Sequence, residues 1–96
     1  MRDFRRSLER GKQAMDEELA DLYYDGAAAG LRAALASRAP RAAPWQEYAP
    51  EWARSCTGHR AYHWLRGFMA AWNARARQLN WPEWAHLRLT FRRGQP

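Results

Sequence analysis

The chain has no valine, no isoleucine and only two threonines. β-Branched residues suit the pleated, half-buried surface of a strand, so their scarcity weighs against a sheet. Cys56 is the single cysteine. It has no partner for an internal disulfide, which suits a reducing compartment. No apolar run approaches the roughly 20 residues of a membrane-spanning helix, and Met1 to Gly11 is charged and lacks the apolar stretch of a secretion signal. No glycine-rich phosphate loop and no recognisable nucleophile motif is present. Ser55, Cys56 and the nearby histidines lack a group that would orient them for catalysis. These absences lead us to expect a non-catalytic cytoplasmic protein of a bacterium or a bacterial virus, with no membrane segment, no cofactor and no catalytic residues.

What the chain does have is aromatic mass and helix formers. Its 96 residues include six Trp, four Tyr and three Phe. A single domain of this size buries only about 60–65% of the surface its unfolded chain exposes, so large rings carry much of the core. Ala, Leu, Arg and Glu dominate the rest, which favours helix. The charge is split along the chain. Residues 1–51 hold 8 basic and 9 acidic groups, whereas residues 52–96 hold 8 arginines against the lone Glu83. A basic half on a small domain points to nucleic acid, an acidic protein or an anionic surface.

Apolar or small residues recur at Phe4, Leu8, Gly11, Met15, Leu19, Leu22 and Gly26, in steps of three and four that keep one helical face. A second stripe opens at Tyr24, Ala28, Leu31 and Leu35. A helix apolar on two faces packs on two sides, so this stripe predicts contact with the chain's own tail or with a second copy in a homodimer. The first helix is expected over residues 3–37, either continuous or broken near Gly26, where Asp25-Gly26 interrupts good helix formers. Residues 38–56 carry Pro40, Pro44 and Pro50 and read as a connector rich in Trp and Pro, with one helical turn at Pro50. Thr57 is a candidate N-cap for a second helix over residues 57–79, stopped by Asn80 and Pro82. Ala61, Trp64, Leu65, Phe68, Trp72 and Leu79 form its core stripe. Residues 80–96 form a basic tail. The expected fold class is all-α: a helical hairpin with an N-terminal helical extension and a short extended or helical C-terminal arm.

The order of Gly26 and Gly30, then Ala43-Pro44-Trp45, then Trp64-Leu65-Arg66-Gly67-Phe68 and Ala71-Trp72 resembles the ribosome modulation factor family of very small basic bacterial proteins. Its pattern has two glycines four apart in a first helix, a Cys-Pro-Tyr in the loop and a Trp-x-x-Gly-aromatic helix. The resemblance covers residues 23–72, about half of the chain. Ala43 and Trp45 stand where the family has Cys and Tyr, and residues 1–20 and 80–96 have no counterpart. It implies a two-helix clasp in which Gly26, Gly30 and Gly67 leave space for Trp64, Phe68 and Trp72, and a role in binding ribosomal RNA and modulating the ribosome.

Opposite the core stripe of the second helix, His59, His63, Arg66, Asn73 and Arg77 share one side. They are the candidate residues for nucleic-acid or partner binding, joined by Arg88, Arg92 and Arg93 of the tail and by Trp45 for base stacking. Trp52, Trp81 and Trp84, in loops or at helix ends, are open to either packing or contact. Cys56, His59, His63 and His86 have metal-like spacing, but a structural zinc normally shows paired ligand motifs in both halves of its site. A solvated histidine pair beside an ordinary thiol, with no metal, is the expectation. The function expected is contact with structured or ribosomal RNA. The alternative is a phage- or plasmid-encoded inhibitor of a host protein or nucleoprotein complex, such as an immune effector.

Overall fold

A proline-free run rich in Ala, Leu, Arg and Glu forms one uninterrupted helix, α1, over Arg2–Ala36. The computed structural model describes residues 2–54 and 58–88, with side chains described from Glu17 onward. Two single-turn helices follow, α2 (Trp45–Tyr48) and α3 (Glu51–Arg54), then the second long helix α4 (Gly58–Gln78) and a 3-10 turn at Glu83–Ala85. The described residues contain no strand, and the fold is all-α. Thr57, the candidate cap of the second helix, and Cys56 lie outside the described residues, as does the arm beyond Arg88.

α1 passes straight through Asp25-Gly26, so of the two alternatives the continuous helix holds. The reason lies in the neighbouring helix. A Cβ placed on Gly26 would stand 1.8 Å from the carbonyl oxygen of Trp64, and one on Gly30 would stand 2.5 Å from that of Phe68. From the other side, a Cβ on Gly67 would lie 1.9 Å from the carbonyl oxygen of Tyr23. The three glycines therefore bring two backbones into direct contact. The space they leave is filled by main chain, not by the rings of Trp64, Phe68 and Trp72, which corrects the arrangement expected from the sequence. The conformational cost of each helical glycine, about 1 kcal/mol relative to alanine, is offset by close packing along the helix pair.

Contacts advance together along the two helices. Arg60 pairs with Glu18, Gly26 meets Trp64 and Phe68, and Gly30 meets Phe68. Further on, Leu31 shares a groove with Ala74 and Gln78. α1 and α4 thus run in the same sense, and residues 37–54 carry the chain back along the pair. At 1.5 Å per residue, α1 is about 52 Å long and α4 about 32 Å, so the N-terminal part of α1 projects past the pair.

The aromatic side of α4 faces the returning connector and the tail. Trp64, Phe68 and Trp72 stack in a column, with ring centres 5.6 Å and 6.3 Å apart. Tyr48 covers Phe68 from the connector, and Trp81 packs edge-on to Trp72 at 5.5 Å. Phe68 and Trp72 are fully buried, and alanines from every neighbouring element complete the core: Ala29, Ala33 and Ala34 of α1, Ala49 and Ala53 of the connector, and Ala85 of the tail. Large rings on one helix against alanines elsewhere is one way a short chain reaches interior density.

One sequence expectation fails at the end of α4. Leu79 is not a core residue but lies exposed, and Trp81 takes the interior position instead. Asn80 adopts a left-handed conformation, with φ of 54°. Its N–H donates to the carbonyl of Arg77, and the N–H of Trp81 donates to the carbonyl of Ala76. This pair of bonds is a Schellman closure, with Asn in the place glycine usually takes. It reverses the chain just after Gln78, carrying Leu79 outward and Trp81 onto Trp72.

Candidate nucleic-acid interface

α4 carries Arg60, Arg66, Arg75 and Arg77 and no acidic residue. Steps of three and four place His59, His63, Arg66, Asn73 and Arg77 on the helix face away from the aromatic column. His59, Arg66 and Arg77 are exposed, and His63 is half-buried. The Arg66 guanidinium stands 5.8 Å from the centre of the Tyr62 ring, which in turn meets the His63 ring edge-on at 5.9 Å. A cation over an exposed aromatic face gains about 0.5–1 kcal/mol, enough to bias the side chain without neutralising it.

The other basic groups differ in whether their charge is already engaged. Arg60 pairs with Glu18, Arg41 with Glu47 and Arg88 with Glu83. Arg66 and Arg77 pair with no carboxylate among the described residues. These two, with His59 and His63 beside them, make the back of α4 an uncompensated positive stripe. Tyr62 belongs to the same surface and was not singled out from the sequence. Its alternation with His63 at the edge of the stripe was the available signal.

Four of the candidate residues have a different role or fall outside the described residues. Asn73 holds the fold together: its side-chain amide donates to the carbonyl of Leu87 at 2.9 Å, and its oxygen accepts from the N–H of Leu87 at 2.8 Å. With both ends engaged by one residue of the tail, it is not free to read a partner. Trp45 is half-buried against the core, a packing residue before it is a stacking surface. Arg92 and Arg93 lie outside the described residues. The most open tryptophan ring among the described residues is Trp84, 63% exposed, while Trp52 stands with Leu22, His59 and Arg60 around a hollow at the start of α4.

The Asn73 clamp, together with the bond from the Trp72 indole N–H to the carbonyl of Ala85 at 2.7 Å, sets the tail along one flank of α4. Asn73→Ala strips Leu87 of both partners, so a loss of about 1–3 kcal/mol is expected in thermal unfolding. Proteolysis should also accelerate between Trp84 and Arg88. A melting point and cleavage rate matching the wild type would show that the clamp is dispensable.

The chain matches no protein-family model, no curated protein and no solved structure. No helix among the described residues is long and apolar enough to cross a membrane. Nor do the described residues gather three or more His, Cys, Asp or Glu side chains in a group fit for a metal ion. His86 turns its Nδ1 to the carbonyl of Pro82 at 3.1 Å.

Proposed function

We propose that this protein binds structured RNA, ribosomal RNA being the class that the resemblance to the ribosome modulation factor family implies, and that it modulates ribosomes by contact. The observation that carries the reading is the back of α4: a stripe about five turns long from His59 to Arg77, with Arg66 and Arg77 in no ion pair among the described residues, His59 and His63 at its start and no acid on the helix. Phosphates supply most of the affinity in such contacts, and a rigid helix sets their spacing. Tyr62 and Trp84 offer exposed ring faces on which unpaired bases stack.

Filter binding of ribosomal RNA and an unrelated hairpin over a series of salt concentrations tests this directly. Each neutralised phosphate steepens the fall of log affinity with log salt by about 0.7 for single strands and about 0.9 for duplex. Arg66→Ala with Arg77→Ala should therefore flatten the slope by about 1.4–1.8, with the melting temperature nearly unchanged because both side chains are exposed. Trp84→Ala should weaken binding by about 1–3 kcal/mol with little change in slope if its ring stacks on a base. No measurable RNA binding at low salt sinks the ribosomal reading.

One observation favours the second reading, a phage- or plasmid-encoded inhibitor of a host protein complex. Trp84 is a large ring left open beside charged groups, the kind of side chain that dominates protein interfaces. On that reading RNA binding is absent and affinity capture from the host returns a protein whose recovery falls with Trp84→Ala.

A further inference from the structure

Among the described residues, nothing covers one face of α1. Tyr24 is 69% exposed, Leu31 47% and Leu35 61%, and Ala28 between them is open as well. With Ala71 and Ala74 of α4 they line a shallow apolar groove bordered by Arg75, Arg77 and Gln78. The same stripe is polar in a directional way. Counting back from Tyr24 in steps of three and four gives Asp21 and Glu17, both exposed. α1 ends at Ala36, and Arg38, two residues further on, is also exposed. Neither Glu17, Asp21 nor Arg38 forms an ion pair with another described residue.

A stripe that is acidic at one end, apolar in the middle and basic at the other complements itself when turned end for end. We infer that the groove is occupied by a second copy of this chain, with the two α1 helices packed antiparallel about a two-fold axis between Ala28 and Leu31. That register sets Tyr24 of each copy against Leu35 of the other and Ala28 against Leu31. It also sets Asp21 against Arg38 at both ends. Each contact occurs twice, as an isologous interface requires. An amphipathic acidic helix from another protein would meet the Arg75 and Arg77 border as well, but it would leave Glu17 and Asp21 facing like charge. The choice of a second copy rests on that charge pattern. His59, His63 and Arg66 lie on a different face of α4 and Arg77 borders both surfaces, so Arg66→Ala tests the RNA contact and Leu31→Glu the dimer separately.

Sedimentation equilibrium between about 5 and 200 µM should give a mass rising towards twice the chain's 11.2 kDa. Leu31→Glu should return it to one chain, with circular dichroism and melting in dilute solution unchanged because the side chain is exposed in the single chain. Asp21→Arg alone and Arg38→Asp alone each place like charges at both ends, and each should weaken association about tenfold or more. An equimolar mixture of these two variants restores both opposite-charge pairs, and association should recover. A single-chain mass throughout the range overturns the inference, as does a dimer that Leu31→Glu leaves intact. Failure of the mixture to recover overturns the antiparallel register.

Discussion

Phe68→Ala should lower stability by about 3–5 kcal/mol. The Phe68 ring is the middle of the α4 column, with Trp64 and Trp72 stacked on either side and Tyr48 tilted over it from the connector. No part of it reaches solvent. Its removal takes away the transfer free energy of a whole ring and leaves a cavity whose walls come from α1, α4 and the connector. The neighbouring rings are themselves held: the Trp72 indole is fixed by its bond to Ala85, and Trp64 and Trp72 continue the packed column. The walls therefore collapse poorly, which places the cost in the upper part of the usual range. A domain of this size has about 5–15 kcal/mol of total stability, and 1 kcal/mol moves its melting point by about 4–8 °C. Thermal unfolding followed by circular dichroism should show a fall of at least about 12 °C, with Phe68→Leu falling between the two. A melting point within about 2 °C of the wild type would mean that the column is not the core.

Gly67→Ala is the substitution on which local and tertiary arguments give opposite signs. In an isolated helix the change is favourable by about 1 kcal/mol. Here the new methyl would stand 1.9 Å from the Tyr23 carbonyl oxygen and 2.9 Å from the Ala27 nitrogen, both of them backbone. No side chain can swing aside, so α1 and α4 must separate along their length or shift past each other. Overpacking of this kind costs about 1–3 kcal/mol and occasionally more. The net result expected is a loss of up to about 2 kcal/mol, larger where the two backbones cannot shift apart, the same direction holding for Gly26→Ala. Chemical denaturation of both variants measures it. The control is Ala28→Gly, measured in dilute solution where that face of α1 is open and the helix-propensity cost of about 1 kcal/mol acts alone. A stabilised Gly67→Ala would show that the two backbones are not in contact at this point.

The sequence was most informative where the physics is local or periodic. The dearth of β-branched residues and the wealth of Ala, Leu, Arg and Glu point to helix throughout. The spacing of Trp64, Phe68 and Trp72 marks the buried face of α4 because a helix repeats every 3.6 residues whatever it packs against. The same repeat puts His63, Arg66 and Arg77 on the opposite side, and the two stripes of α1 are visible in the same way. Asn80 and Pro82 signal the end of α4 through backbone chemistry that needs no distant partner.

Elsewhere the outcome depended on groups far apart in the chain. Gly26 reads as a possible helix breaker from local propensity, but its lost freedom is compensated by Trp64 and Phe68 of a helix that begins more than thirty residues later. That the glycines accept backbone rather than rings follows from the distance between two helix axes, which no single-helix pattern encodes. Asn73 shares the stripe of the basic residues by spacing, and it is the return of the tail that claims both ends of its amide for Leu87. Leu79 and Trp81 exchange roles because one left-handed residue turns the chain between them. Composition and periodicity by themselves determined the helices and which of their faces are apolar or basic, since those are properties of the near neighbours of each residue. Only the tertiary structure decided which face meets which, which polar side chains remain free and which aromatic rings lie inside, because these depend on where the connector and tail bring distant segments together.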